Sequence, residues 1–381
     1  MRHELERVEI TGEHEARERT WAVVRSAYAE RQPVERRTRR YRPVLVAAAS
    51  IAVLAAAVSP PGRAVVDEIR EVVGVERAQP ALFSLPATGK LLVSSDAGIW
   101  VVQQDGSRRL LGEYREATWS PLGRFVAAAR ENELAALEPN GDVRWTLARP
   151  GVGSPRWTGT EADTRIAYLS GSTVRVVAGD GTGDRKACAA AVARVAPAWR
   201  PGASFELAVA ARDGSIRIYG IEKCRLLGRS HSLGDVRSLE WSSDGQLLLV
   251  RARRSLSVLD ARGRVLHPLL GPDAAPVQAA ALRPGGHAVA FVQAAAGRSQ
   301  LWVIPHLRPD GSAARRVFAG AGRFGALAWS PDGRWMLVTW PVADQWVFVR
   351  TNGRGIRAAS SISEQFRSSS FPRPEGWCCV P

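Results

Sequence analysis

The stretch from Trp329 to Arg334 reads WSPDGR, and the run from Trp335 to Trp340 that follows it reads WMLVTW. This pattern predicts a strand that ends in Trp, a tight turn marked by Pro and Gly, and a second, apolar strand. Most of the 381-residue chain repeats it. A series of such hairpins at a fixed period indicates a propeller or a solenoid. Surfaces of these folds bind partners of many kinds, so the pattern predicts architecture better than function.

Six copies of the hairpin motif can be aligned on one residue each. They begin at Trp119, Trp157, Trp199, Trp241, Leu282 and Trp329. The spacings of 38, 42, 42, 41 and 47 residues match the roughly 40 to 45 residues of a four-stranded propeller blade. They are too long for leucine-rich or ankyrin repeats, so we predict an all-β propeller.

A third strand follows each motif, and these third strands number seven. They span residues 98–106, 133–141, 173–181, 215–222, 255–263, 300–311 and 345–353. The first of them has no Trp motif before it, so another segment has to complete its blade. Counting 42 or 43 residues on from Trp329 reaches Phe371 and Pro372, where we expect a strand that closes the ring with the N-terminal strands. The segment from Phe83 to Lys90 competes for this place. The count predicts seven blades, with six as the alternative.

The recurring residue types have structural explanations. The second strand is apolar on both faces because it packs between neighbouring blades, and the Trp fills the wedge between blades. Gly in the turn can adopt a positive φ, and the side chain of the Asp or Asn before it forms a hydrogen bond with its own backbone. We therefore predict that no repeated Trp or Asp is catalytic.

These repeats resemble WD40-like propellers of the TolB type, which carry the same WSPDGR pattern before an apolar strand. The segment Trp329 to Arg334 matches in full and Trp119 to Arg124 nearly so. The resemblance covers residues 88–381. It implies a protein-interaction platform or an accessory domain of a larger enzyme.

Residues 1–42 are interpreted as a small cytoplasmic segment. A helix is predicted over residues 11–31, with Trp21, Val24 and Tyr28 on one face. An isolated helix of this length is marginal in water, so these three residues are the candidate partner-binding face, for a protein or the membrane surface. A frayed tail is the alternative. Residues 35–42 then carry five Arg and one Glu.

A transmembrane helix is predicted over residues 43–59, because Pro43 to Val58 contains no charged residue. The positive flank before it and the acidic flank after it, over residues 59–76, place the N-terminus inside. A signal peptide cleaved near Ala55 to Ala57, a twin-arginine signal beginning at Thr38, and a buried core helix are alternatives. Residues 60–87 are expected to form a second helix and a linker, and residues 88–381 the propeller.

Charge and residue chemistry favour binding over catalysis. The chain carries a net charge of +15, and all but Lys90, Lys186 and Lys223 of its 52 basic residues are Arg, spread over every repeat. This indicates a solvated Arg-rich surface more than a nucleic-acid site. Neither HExxH nor GxSxG occurs, and no length remains for a separate hydrolase domain. We predict no catalytic residue, metal or cofactor.

Two further features concern cysteine and a possible cation site. Cys188 and Cys224 are expected in outer strands of neighbouring blades, where a disulfide can form if the propeller lies outside the cytoplasm. Two buried, reduced cysteines are the alternative. The segment from Asp180 to Asp184 has the sequence DGTGD. It is interpreted as a turn, and a cation-binding site is the alternative.

The sequence thus predicts a non-enzymatic, single-pass membrane protein of the bacterial envelope. Residues 43–59 would contact the lipid bilayer, and an extracytoplasmic, monomeric propeller would bind a protein, peptide or glycan. The alternative resembles transmembrane anti-sigma factors, whose cytoplasmic part binds a transcription factor, although no His and Cys zinc motif occurs in the first 40 residues. An enzyme that uses the central channel is a third hypothesis, for which the sequence offers no acid, base or nucleophile.

Overall fold

The computed structural model describes residues 84–188, 191–202, 205–308 and 313–379. Within these ranges the chain forms seven four-stranded antiparallel sheets. The predicted face of Trp21, Val24 and Tyr28, the predicted membrane segment 43–59 and the predicted second helix lie outside the described residues. Among the described residues, no helix combines the length and the apolar character needed to cross a bilayer.

The first three blades occupy the N-terminal part of the described chain. Blade 1 contains β1 (Lys90–Ser95), β2 (Gly98–Val102) and β3 (Arg108–Gly112). Blade 2 contains β4 (Glu116–Trp119), β5 (Val126–Arg130), β6 (Glu133–Leu137) and β7 (Val143–Ala148). Blade 3 contains β8 (Val152–Gly159), β9 (Thr164–Ser170), β10 (Thr173–Ala178) and β11 (Arg185–Lys186).

Four further blades and a final strand follow. Blade 4 contains β12 (Ala198–Trp199), β13 (Glu206–Ala210), β14 (Ser215–Gly220) and β15 (Arg225–Ser232). Blade 5 contains β16 (Val236–Trp241), β17 (Leu247–Ala252), β18 (Leu256–Asp260) and β19 (Val265–Leu270). Blade 6 contains β20 (Val277–Leu282), β21 (Val289–Ala295), β22 (Arg298–Ile304) and β23 (Arg315–Ala321). Blade 7 contains β24 (Leu327–Trp329), β25 (Trp335–Trp340), β26 (Gln345–Arg350) and β27 (Ile356–Ser360). Two short helices, Pro341–Ala343 and Ile362–Gln365, and β28 (Arg373–Cys378) complete the chain.

The last strand closes the ring. β28 pairs antiparallel with β1, with Leu91 opposite Trp377, so the sheet order of blade 1 is β28-β1-β2-β3. The predicted closure and the count of seven blades are confirmed, and the alternative of six blades is wrong. The closing strand begins at Arg373, slightly after the expected Phe371. The competing N-terminal segment contributes no inner strand, because its described part becomes a strand only at Lys90.

The WSPDGR turn is held by its own side chains. Ser330 Oγ accepts a hydrogen bond from the N–H of Trp335 at 2.9 Å and donates one to Asp332 Oδ1 at 2.5 Å. Gly333 has φ of 64°, where a side chain would be strained. The blade 5 copy repeats the arrangement with Ser242. The motif is therefore a structural turn.

The recurrent Trp links neighbouring blades. In four blades its indole N–H donates to a backbone carbonyl on the inner strand of the preceding blade. The pairs are Trp119 to Gly376 at 3.4 Å, Trp199 to Arg156 at 2.9 Å, Trp241 to Ala198 at 3.1 Å, and Trp329 to Ala281 at 3.1 Å. Each indole thus fills the wedge between blades and satisfies its polar N–H there.

Candidate functional site

The inner strands surround a central channel that contains a cluster of charged side chains. We define the channel cluster as Glu116, Arg156, Glu240, Arg373 and Glu375. The side chains come from the inner strands of blades 1, 2, 3 and 5. The charges of the other four members all influence the pKa of Arg156, so each of them lies near Arg156.

The carboxylates of the channel cluster bind groups on neighbouring strands. Glu116 Oε2 accepts the N–H of Ser154 at 2.5 Å, which joins blade 2 to blade 3. Glu240 Oε2 accepts the N–H of Leu282 at 3.1 Å, which joins blade 5 to blade 6. In blade 6 this bond takes the place of a Trp contact, because Leu282 occupies the Trp position.

Arg156 and Arg373, the two cations of the cluster, have different partners. Glu375 Oε1 pairs with Arg373 Nη2 at 2.8 Å and accepts the hydroxyl of Ser94 at 2.7 Å. Arg156 Nη1 donates to the carbonyl of its neighbour Pro155 at 2.8 Å, and no described carboxylate forms an ion pair with it. Burial lowers the pKa of Arg156, while the charges of Glu375 and Glu116 oppose that shift.

The carboxyl of Glu240 has an unusual pKa. Burial raises it to about 7, against the smaller opposing effects of the Leu282 N–H and the Arg156 charge. Its pKa in the folded state therefore lies above the ordinary value of 4.5. The stability that this group contributes is fully present below that ordinary value and is lost as pH rises through about 7.

Replacing Glu240 by Gln is expected to remove this pH dependence. The Glu240→Gln variant keeps an acceptor for the Leu282 N–H but cannot ionise. It should be more stable than wild type by about 1 to 2 kcal/mol at pH 8.5, after allowance for water in the channel, and equal to it near pH 4. Urea unfolding at both pH values measures this. Glu131→Gln, at an exposed carboxylate, is the control, and the prediction is wrong if both variants respond alike.

A second candidate site lies between blades 2 and 3, and we call it the blade 2–3 notch. It is a cavity of about 370 Å³ with a mainly apolar wall. The wall is formed by Leu122, Phe125, Trp145 and Trp157. Arg124, Arg144, Glu161 and Asp180 surround it. It opens on the face that carries the turns between first and second strands and between third and fourth strands.

The side chains of the notch depart from the repeat pattern. Leu122 stands where the blade 7 copy has Asp332, and 53% of it is exposed. Phe125 stacks on Trp157 with ring centroids 6.2 Å apart and planes at 19°. The Arg144 guanidinium lies 5.9 Å from the centre of the Phe125 ring. An exposed Leu in place of a turn-forming Asp adds apolar surface without helping the turn.

Trp157 also departs from the pattern that four of the equivalent indoles follow. Its Nε1 is buried and has no hydrogen-bond partner among the described residues, as is also true of Trp302 and Trp377. Its ring lines the notch and is only partly buried. The blade 3 copy begins WTGTEAD instead of WSPDG, and β8 carries an irregular register between Gly153 and Arg156.

The predicted cysteine pair is bonded in the structure. The sulfurs of Cys188 and Cys224 are 2.09 Å apart, with the Cα atoms at 5.0 Å. The expected location was partly wrong, because Cys188 follows β11 while Cys224 lies in the turn between β14 and β15. The bond links blade 3 to blade 4 beside β11, which has only two residues. Its formation in the cell stays a prediction.

The segment from Asp180 to Asp184 is a turn with a charged end. Asp180 Oδ1 accepts the N–H of Thr182 at 3.0 Å. Asp184 accepts hydrogen bonds from Arg149 and Arg175, so its oxygens are already occupied. In the part of the chain that the structure covers, no group of three or more His, Cys, Asp or Glu residues is arranged for a metal ion.

Solved structures share this architecture, whereas the sequence matches no known protein family and no curated protein. A chain in the crystal structure of the mitotic checkpoint complex is 18% identical with a TM-score of 0.54, over 81% of this chain and 97% of that one. The C-terminal WD40 domain of Sif2 is 14% identical with a TM-score of 0.54, over 76% and 87%. The hydrazine synthase of Kuenenia stuttgartiensis is 14% identical with a TM-score of 0.50, over 67% and 79%. At these identities the similarity shows a WD40-like β-propeller fold and nothing finer.

Proposed function

We propose that this protein is a non-enzymatic, single-pass membrane protein that presents its propeller outside the cytoplasm for binding to another protein. The observation that carries protein binding is the blade 2–3 notch, where Leu122 is exposed and three aromatic side chains are only partly buried. Exposed apolar surface rimmed by charge is typical of interaction sites. The WD40-like fold and the TolB-type repeat pattern are consistent with such a role.

The extracytoplasmic location is supported by two features. Residues 43–59 form an uncharged stretch between a basic and an acidic flank. The bonded pair Cys188 and Cys224 belongs to a class of cross-link that persists in oxidising compartments and is rare in the cytosol.

Location is tested in intact cells. After thiols are blocked with N-ethylmaleimide, mass spectrometry under non-reducing conditions should find Cys188 and Cys224 joined, and an added protease should degrade the propeller without cell lysis. Alkylated Cys188 and Cys224 together with a protected propeller would show that the propeller is not outside the cytoplasm.

Binding is tested with a photo-crosslinking amino acid at Glu161, beside the notch, which should give protein adducts in intact cells. The same amino acid at Arg212, in the turn between β13 and β14 on the opposite face, is the control.

A second candidate function is that of a transmembrane signalling regulator. The observation that favours it is the Trp21, Val24 and Tyr28 pattern, which lies on the other side of the predicted membrane segment. In this function the cytoplasmic residues bind a transcription factor and the propeller is the sensor. A pull-down with the full chain should recover a cytoplasmic protein and lose it on Trp21→Ala, and recovery unchanged by that substitution argues against this function.

A further inference from the structure

The ring of Trp157, which lines the blade 2–3 notch, carries a buried hydrogen-bond donor that the fold leaves unused. Four equivalent indoles donate to the preceding blade, but Trp157 Nε1 has no acceptor among the described residues. A buried donor without a partner costs about 1 to 3 kcal/mol. A ligand whose carbonyl oxygen displaces the groups that now cover Trp157 Nε1 would recover part of that free energy.

The wall of the notch selects an apolar group. The cavity of about 370 Å³ is lined by Leu122, Phe125 and Trp157, and Leu122 is 53% exposed. One Leu or Phe side chain placed there would cover these surfaces, and full burial of such a side chain contributes about 1.5 to 3 kcal/mol. Because the apolar group and the carbonyl acceptor would lie close together, a peptide residue satisfies both requirements.

The rim of the notch carries two acids, Glu161 and Asp180, and two cations, Arg124 and Arg144, with which acidic neighbours of that residue can pair. The side chains of Arg124 and Arg144 are 63% and 58% exposed. Their present partners are Glu161, at 2.9 Å from Arg124, and Glu138. Exposed ion pairs contribute about 0 to 1 kcal/mol, so an incoming carboxylate can exchange with them. The net charge of +15 would also attract an acidic segment over a longer range.

We propose that the blade 2–3 notch binds an extended acidic peptide segment of a partner protein. One bulky apolar side chain of that segment fills the cavity, its backbone carbonyl accepts the Trp157 indole N–H, and its acidic residues lie beside Arg124 and Arg144. This inference rests on the proposed function, because it names the site and the partner chemistry of the protein binding proposed above.

Two variants test the notch with little risk to the fold. Trp157→Phe removes the N–H donor and keeps an aromatic ring. Leu122→Asp restores the WSPDG turn of blade 7, where Asp332 binds Ser330, and places a negative charge at the rim. The control is Trp302→Phe, because Trp302 also has a buried Nε1 without a partner and stacks on Phe291 at 6.5 Å, but lies in blade 6.

The probe is a display library of random peptides selected on the full-length protein in detergent. The enriched peptides should share a bulky apolar residue flanked by Asp or Glu. Their affinity should fall about 3- to 10-fold on Trp157→Phe, more than 10-fold on Leu122→Asp, and less than 2-fold on Trp302→Phe. In the ¹⁵N spectrum, the indole resonance that is lost in Trp157→Phe should move when the peptide binds to wild type.

The outcomes separate this inference from the proposed function. Peptide binding at the notch is wrong if the enriched peptides bind both notch variants as tightly as wild type, or if the library yields no binder. Crosslinking from position 161 can still support binding of a protein in either case. A change in oligomeric state on Leu122→Asp, measured by sedimentation, would show that a second copy of the chain occupies the notch. The proposal that a partner's peptide segment binds there would then be wrong. If the propeller is not found outside the cytoplasm and crosslinking gives no adducts, the proposed function is wrong. Peptide binding at the notch is still supported in that case if the selected peptides bind as expected.

Discussion

A chain that ends at Pro372 is expected to lose cooperative folding of the propeller. This truncation removes β28, the strand that supplies the inner edge of blade 1 and pairs with β1. It also removes Gly376, whose carbonyl accepts the indole N–H of Trp119 at 3.4 Å. β1 would then become an exposed sheet edge, and blades 1 and 7 would expose apolar surface that the closed ring covers.

The size of the effect follows from one side chain of that strand. Trp377 is 9% exposed and packs on Phe348, with ring centroids 5.8 Å apart. Trp377→Ala alone is expected to cost about 3 to 5 kcal/mol, as for other buried Trp residues. Loss of the whole strand also removes its ladder of hydrogen bonds with β1. The total loss in free energy of unfolding then reaches the roughly 5 to 15 kcal/mol that stabilises a typical domain.

Circular dichroism during thermal and urea unfolding measures both changes. A chain that ends at Cys379 keeps β28 and is the control, and it should unfold like wild type. Trp377→Ala should shift the transition to lower urea, and the chain ending at Pro372 should show no cooperative transition. If the shorter chain unfolds at the wild-type midpoint, closure by β28 does not stabilise the ring.

Most of the fold could be predicted because its determinants are local and repeated. The turn around Ser330 needs its residues within six positions, so the sequence shows it directly. The position of the last strand is predicted less accurately. The repeat spacing leads to Phe371, whereas Trp377 occupies the Trp position of the repeat, opposite Leu91. The reason is an insertion, the short helix Ile362–Gln365, after which Phe366 is fully buried against Trp346.

The candidate sites could be predicted less well. Arg156 and Glu240 each stand one residue before the repeat Trp, whereas Glu116 stands three residues before it. They lie on three different blades and come near one another only in the folded ring, so no local pattern shows that they form a cluster. The notch did leave a signal, since Leu122 replaces the Asp of the motif and Trp157 is followed by Thr instead of Ser. Departures from the repeat on adjacent blades are therefore the sequence signal for this candidate site.

The second large effect is expected at Asp184, which joins blades 2 and 3 at their outer edge. Its carboxylate accepts the Tyr168 hydroxyl at 2.7 Å, Arg175 Nη2 at 2.6 Å and Arg149 Nε at 2.7 Å. Burial alone would raise the pKa of Asp184, but the hydrogen bonds from Arg175, Tyr168 and Arg149 outweigh it and lower the pKa. Burial and the bond to Asp184 raise the pKa of Tyr168 to about 12.

Asp184→Ala is expected to cost about 3 to 5 kcal/mol at pH 7, because it leaves Arg175, whose side chain is 16% exposed, without its buried counter-charge. The folded-state pKa is lowered, so this stability is present above the unfolded pKa near 4 and is lost as pH falls through the folded value. Urea unfolding at pH 7 and pH 3 should therefore show a large difference from wild type at pH 7 and a smaller one at pH 3. Asp235→Ala, which breaks an exposed pair with Arg237, should cost at most about 1 kcal/mol at either pH. Equal costs for the two substitutions at pH 7 would mean that Asp184 acts only as a surface charge, and the link between blades 2 and 3 would then depend on packing alone.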